Sequence, residues 1–324
     1  MNKSLMFLLF IFFNYQLQAQ NKYVPVCEGR NWGYIDIKGN YFFKPQYECA
    51  QNFSNGLARV MLNKWGFIDS TGSFAINPVY ECAGDFSEGI ARVKKDKFWG
   101  FIDTKGNIVI SCQFDDAKDF YEGMAPVRKG KKWGYIDKKG DWVIQPQYDV
   151  AENFSDTCAR ICLDKIWKLI DRSGNYIGDR QFDEIGFFSS GLAKARQGKL
   201  WGYINNKGEW AIKTVYEQTG NFIGEFAKVK RYKKWGFIDK AGIFIINPQF
   251  TCVGDFRDGL APALKDKKWG YINLKGDFVI KPQFDTAKNF YNGLARVKKG
   301  NKWGFIDKKG NVIIGFNFDE VEHF

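Results

Sequence analysis

The sequence predicts an all-β protein, a nine-fold array of repeats of about 34 residues. A closed, propeller-like toroid is preferred, with an open β-solenoid or superhelix as the alternative. Three observations carry this reading. Trp32, Trp65, Trp99, Trp133, Trp167, Trp201, Trp235, Trp269 and Trp303 are spaced 33 residues apart once and 34 thereafter. Asp or Asn stands four residues after every one of these Trp, and Gly stands seven after. Residues 21–324 also hold nearly a whole number of units, starting and stopping at corresponding points. A ring requires that, although an open array can show it too.

Before the array, residues 1–20 read as a secretory signal peptide. Lys3 supplies the positive charge, residues 5–13 are apolar, and residues 16–20 form a polar exit containing Ala19. Nine apolar residues are too few to span a bilayer, which needs roughly 20. Residues 21–324 are then a single repeat domain, and no transmembrane segment is expected in the mature chain.

Within each repeat the first strand is typified by Leu57-Ala58-Arg59-Val60 and Leu294-Ala295-Arg296-Val297. A basic tip such as Arg128-Lys129-Gly130-Lys131-Lys132 follows, and then the strand Trp133-Gly134-Tyr135-Ile136-Asp137. Two strands about a short polar tip form a hairpin. The next turn uses Asx chemistry: the side chain of Asp36, Asp103 or Asn205 accepts an amide two residues on, and Gly39, Gly106 or Gly208 supplies positive φ. A third strand such as Asn107-Ile108-Val109-Ile110 comes next, then a stretch such as Gln147-Tyr148-Asp149 that reads as a short fourth strand. Beyond it a Phe recurs at one place in every repeat, as Phe53, Phe86, Phe120, Phe154, Phe188, Phe222, Phe256, Phe290 and Phe324.

Both faces of these strands read as buried, so each sheet is expected to be sandwiched between neighbours, with the Trp in the core. In the first strand an Ala recurs at a fixed place, from Ala58 and Ala91 through to Ala261 and Ala295, and Pro25, Pro126 and Pro262 interrupt the strand. Crowding and a missing amide place this strand innermost, at an edge near the axis.

These residues resemble the WG (KWG) repeat family of bacterial proteins. The signature is Trp-Gly, an aromatic, Ile, Asp, then Gly, then Phe-Ser-x-Gly-Leu-Ala, and it covers essentially all of residues 21–324. The resemblance implies a β-rich repeat domain, often exported, with no general enzymatic activity and no catalytic residues to carry over. The fifth repeat departs most: Lys168 replaces the Gly, Leu169 the aromatic, and Thr157-Cys158 the Gly-Leu pair.

Chemistry is sparse. Asp-x-x-Gly lacks the oxygen count of a calcium loop. The carboxylates Glu48, Asp115, Asp149 and Asp285 all occupy one repeat position, shortly after the third strand, which suits structure better than a glycosidase pair. His323 is the only histidine, so neither a catalytic triad nor a zinc site is expected. The Gly-Lys tips lack Walker spacing. Seven Cys cannot all pair internally, and Cys158 and Cys162, about 13 Å apart along a strand, cannot bridge. No enzyme and no cofactor or metal are expected.

Charge says more. The net charge of +12 gathers before each Trp and after each Asp, at opposite strand ends, which predicts two basic rims. The candidate binding residues are Lys131, Lys132, Lys233, Lys234, Lys267, Lys268 and Lys302. The expected function is a non-enzymatic exported scaffold, periplasmic, outer-surface or secreted, binding a protein or an acidic polysaccharide or lipopolysaccharide-like ligand in the cell envelope. A purely structural assembly component is the alternative, and an envelope hydrolase a weaker one. Nucleic acid is not expected, because regular Trp read as core rather than stacking platforms.

Overall fold

A computed structural model describes residues 23–322. Residues 1–22, which include the stretch read as a signal peptide, and the last two residues, His323 and Phe324, lie outside the described residues. Nine small antiparallel sheets follow one another, seven of four strands and two of three. In the Trp133 blade the strands, from inside outward, are Asp116–Ala117, Met124–Lys129, Lys132–Asp137 and Trp142–Tyr148. Neighbouring blades meet through a repeating aromatic pair. Phe101 packs on Phe120 with ring centroids 4.8 Å apart, Tyr135 on Phe154 at 4.9 Å and Tyr203 on Phe222 at 4.7 Å. The recurring Phe of the sequence therefore belongs to the core between two blades.

The ring is closed. Strand Glu320–Val321 pairs with Val24–Glu28, matching Val26 with Val321 and Cys27 with Glu320. The closing blade thus takes its inner strand from one end of the chain and three strands from the other. This is a nine-bladed propeller, and the open solenoid is excluded.

One strand position differs from expectation. The stretch Gln147-Tyr148-Asp149, read as a short fourth strand, instead ends the outer strand Trp142–Tyr148; the next two residues, Val150–Ala151, form the innermost strand of the following blade, and the Ala-rich strand is second. Its prolines still fit. The Pro126 carbonyl accepts from Lys118, and those of Pro262 and Pro25 accept from Gly254 and Glu322. The inner strand ends after two residues, so the proline nitrogen, facing the same side, meets no ladder acceptor.

The Gly after Trp has a steric role. Where Trp99 pairs with Phe114 and Phe101 with Ile110, the outer strand bulges over Gly100. A Cβ on Gly66 would lie 2.7 Å from both the Ile76 carbonyl oxygen and the Pro78 nitrogen. Lys168 puts a side chain at this place in the fifth repeat. The outer strand there is reduced to the bridges Trp167 with Phe182 and Ile170 with Tyr176.

The Trp themselves are half-buried rather than core. Each lays one part against an apolar cluster, and cations cover another part of most of them, as Arg92 does at 5.1 Å from the Trp99 ring and Arg59 at 5.1 Å from Trp65. The side chains in the second strand that reach across the sheet explain this, since they bring charge to a face expected to be apolar.

Candidate binding site

Antiparallel strands put the tips before each Trp and the connectors between blades on one face of the ring. The Asx turns and the Ser-x-Gly loops lie on the other. On the first face the recurring carboxylates cap the tips. Asp115 accepts from the Gly130 amide at 2.6 Å, Asp149 from Asp164 at 2.8 Å and Glu48 from Asn63 at 2.8 Å. They have the structural role their recurrence suggested. Three of the seven candidate lysines pair with carboxylates of this column: Lys132 with Asp149 at 2.6 Å, Lys268 with Asp285 at 2.5 Å and Lys302 with Asp319 at 2.7 Å. Lys131, Lys233, Lys234 and Lys267 are exposed, and among the described residues no ion pair engages them.

The second face corrects the expectation of two basic rims. Its lysines share each tip with the turn Asp, and the Ser-x-Gly loops add acids: Lys138 meets Glu88 at 3.0 Å, Arg172 meets Glu122 at 3.6 Å and Lys240 meets Glu225 at 2.9 Å. Basic excess is confined to the face before Trp.

Both faces depend on ionised carboxylates. A side-chain hydrogen bond from Thr71 holds Asp69 below its usual pKa, Asn107 does so for Asp103 and Asn175 for Asp171. Bonds from Lys132, Lys268 and Lys302 do the same for Asp149, Asp285 and Asp319. A carboxylate with a depressed folded pKa contributes stability above its unfolded pKa of about 3.9, and that contribution disappears as pH falls through the folded value. The melting temperature is therefore expected to be level from pH 7 to about 5 and to drop below about pH 4. A melt series in constant ionic strength checks this, and a melting temperature that rises toward pH 3 contradicts it.

A different polar system runs along the inner ends of the blades. Each of the nine junctions is bridged by one side chain from the third or second strand. Tyr34, Tyr135, Tyr203 and Tyr271 donate their hydroxyls to the carbonyls of Gln51, Glu152, Gly220 and Lys288 at 2.7–2.8 Å. Arg59, Arg92 and Arg296 donate to the carbonyls of Ala83, Ala117 and Val321 at 2.6–2.7 Å, and Arg160 donates to that of Ile185. At the remaining junction Lys228 meets Asp255 at 3.1 Å. Tyr and Arg can replace one another because they occupy paired positions on the same face: Pro25 stands opposite Tyr34 and Pro126 opposite Tyr135, whereas Arg59 stands opposite Phe67 and Arg92 opposite Phe101.

This inner wall is irregular in one sector. A cavity of about 480 Å³ is lined by Arg92, Asp119, Tyr121, Glu152, Asn153 and Phe187, among others. Its walls come from consecutive blades, which only the axial side of a ring brings together. Arg92 meets Asp119 at 2.8 Å and Lys118 meets Glu152 at 2.7 Å. Burial pushes Asp119 above the usual carboxylate range despite Arg92 beside it. Sequence reading missed this sector. The signal was the column immediately before the recurring Phe, which reads Asn52, Asp85, Asp119, Asn153, Phe187, Asn221, Asp255, Asn289 and His323, with Phe187 its one apolar member.

The seven cysteines are unpaired, and burial raises the Cys158 thiol to about 12, far from a thiolate nucleophile. Among the described residues no helix is long and apolar enough to cross a membrane.

Comparison with known proteins gives a family and a fold. The family described as WG containing repeat matches nine consecutive segments, running from residues 32–64 to 303–324. No curated protein matches the chain. Among solved structures, a eukaryotic initiation factor superimposes with a TM-score of 0.65 at 9% identity, over 93% of this chain and 97% of that one. The dihydro-heme d1 dehydrogenase NirN superimposes with a TM-score of 0.51 at 9% identity, over 94% of this chain and 74% of that one. At such identity the likeness is one of fold alone.

Proposed function

The chain belongs to the WG containing repeat family, and on that premise we propose that it is a non-enzymatic, exported scaffold of the cell envelope that holds a polyanionic partner on one face of its ring. The observation that supports this reading is the one-sided charge. Lys131, Lys233, Lys234 and Lys267 project from tips on the face before Trp and are not neutralised by the carboxylates, which are occupied in capping turns. A rim of such tips attracts an acidic polysaccharide or lipopolysaccharide-like phosphate through summed, long-range forces. An acidic protein surface presents the same chemistry. Export rests on the leader at residues 1–20. The non-enzymatic reading is supported by recurring carboxylates committed to turns and by the raised Cys158 thiol. Nucleic acid is not the proposed partner, because cations and the blade core already engage the Trp rings.

Heparin serves as the probe polyanion. The mature chain is expected to bind it saturably, about tenfold more weakly when salt rises from 50 to 200 mM, as screening by about a Debye length of 10 Å or less implies. Replacing Lys131, Lys233, Lys234 and Lys267 together by Glu is expected to abolish binding with the melting temperature retained. Charge reversal of Lys105, Lys138 and Lys308 on the opposite face is expected to change affinity less than about threefold. Equal losses from both variants, or binding indifferent to salt, would sink the reading.

A further inference from the structure

We propose that Arg160 and Phe187, with Lys194 at the neighbouring junction, form a second binding site, on the axial side of the ring, for a carboxylate carried beside an apolar group. The site is separate from the lysine rim and does not depend on it.

The ring supplies its own standard of comparison. At four junctions the cation of the second strand meets a carboxylate of the next blade's inner segment: Arg59 with Asp85 at 2.6 Å, Arg92 with Asp119 at 2.8 Å, Lys228 with Asp255 at 3.1 Å and Arg296 with Glu322 at 3.6 Å. The first three acids stand in the column immediately before the recurring Phe, and Glu322 stands one place earlier, where the column itself holds His323. The residue in that place beyond Arg160 is Phe187, and beyond Lys194 it is Asn221. Two adjacent junctions therefore keep the cation and lack the acid.

The consequences are visible around Arg160. Only 6% of it is exposed, so its charge sits where an unpaired ion is costly. Its guanidinium donates to the Ile185 carbonyl through Nη1 and lies 4.2 Å from the centre of the Phe187 ring. Its Nη2 makes no hydrogen bond and stands 3.6 Å from Glu152. That carboxylate is held more closely by Lys118, at 2.7 Å. Lys118 and Arg160 thus share the single carboxylate of Glu152. Lys194 crosses Gly186, where a Cβ would meet its Cγ at 2.5 Å, and its ammonium lies 5.2 Å from the centre of the Trp201 ring. Among the described residues no carboxylate forms an ion pair with it.

The apolar half of the site is also in place. Phe187 is 61% exposed, an unusual state for Phe on an inner wall. The cavity of about 480 Å³ is lined by Phe187 together with Phe154, Phe188 and the Asn153 side chain, whose buried Oδ1 lacks a partner, and Arg160 lies behind the Phe187 ring rather than in the cavity wall. Such a volume suits an acid of amino-acid to short-peptide size. An entering carboxylate takes the place Asp85 and Asp119 hold elsewhere, displacing the Phe187 ring from the guanidinium to reach the buried Nη2, while its apolar group lies on Phe187.

Titration calorimetry on the mature chain tests this with three probes. N-acetylphenylalanine carries a terminal carboxylate, N-acetylphenylalaninamide carries none, and N-acetylaspartylphenylalaninamide carries one on a side chain. At least one acid is expected to bind ten times or more tighter than the neutral amide. A stronger terminal acid points to a free acid or chain terminus as occupant, and a stronger Asp probe to an acidic side chain. Phe187→Asp supplies the missing carboxylate from within and is expected to cost the acids at least tenfold while the melting temperature holds or rises. Phe187→Asn, the residue of four other repeats, leaves the place without an acid and is expected to retain acid binding. Equal binding of acid and amide, no saturation by any probe, or Phe187→Asp within twofold of the parent would overturn the proposal. The fourfold rim variant retains acid binding, so failure here and failure of the rim reading are told apart.

Discussion

Gly134→Lys is expected to strip the outer strand from a regular blade and lower the melting temperature by roughly 5–10 °C, about 3 kcal/mol. A Cβ at this position would meet the Ile144 carbonyl and lie 2.8 Å from the Pro146 nitrogen, both backbone atoms of the neighbouring strand. Backbone in a paired strand cannot step aside as a flexible side chain would, so the strand must leave. Its departure exposes Ile144 and Tyr148, buried at 4% and 2% exposure. The fifth repeat shows the end point: Lys168 stands there, and only two bridges remain of the outer strand. The reverse substitution, Lys168→Gly, is expected to change the melting temperature by less than about 2 °C. Gly178 takes the position of the Ile that elsewhere anchors the outer strand, and removing the clash does not restore that anchor. Hydrogen exchange gives a local readout, with residues 142–148 losing protection in Gly134→Lys. Unchanged protection there would mean that the Gly is a matter of turn preference rather than of close approach.

The same close approaches explain what could be read from the sequence. Features that recur around the ring for a steric reason were visible: Gly39 and Gly72 combine positive φ with contact to an Ile or Phe of the preceding blade, and the Asx side chains bond two amides in turns such as that of Asp36. The count of nine and the closed ring followed from that regularity. Strand order did not, because a two-residue inner strand such as Asp116–Ala117 is too short to show periodicity. Its membership of the next blade is set by pairing across a connector, which no local pattern encodes. The half-buried Trp escaped for a related reason. Alternation along one strand assigns a face, but the cations that cover that face come from the neighbouring strands of the same blade. Pairing also decided the charge. Composition placed lysines at both strand ends, whereas only folding shows that Glu88, Glu122 and Glu225 lie against one set. The Arg160 site was legible in principle, as the one apolar residue in a column otherwise of Asn, Asp and His, but only once that column was known to face the second-strand cations.

Removing residues 319–324 is expected to have the largest effect on stability, roughly 5 kcal/mol and a fall of about 10–15 °C in melting temperature. Eight junctions of the ring are also spanned by the chain, so their blades stay neighbours when contacts weaken. The ninth is held by non-covalent contacts alone. There Val321 is 7% exposed in the cluster formed by Val24, Val26, Ile35 and Phe305, and removing it costs about 2 kcal/mol. The amides of Asp319 and Glu322 donate to the carbonyls of Cys27 and Pro25, and such bonds contribute about 1 kcal/mol each. Arg296 would lose both the Val321 carbonyl and Glu322, leaving a largely buried guanidinium without its acceptors. Lys302 would lose Asp319, which also caps the Gly29 amide. Because closure alone can fail without breaking a blade, the truncated chain is expected to open by steps rather than to unfold at once. Exchange should quicken first at Val26 and Cys27. Small-angle scattering should show a radius of gyration above the roughly 19–20 Å of a compact chain of this length. A truncated chain that keeps its melting temperature and its compact radius would show that the closing strand is ornamental, and that packing between the Trp32 and Trp303 blades suffices to hold the ring.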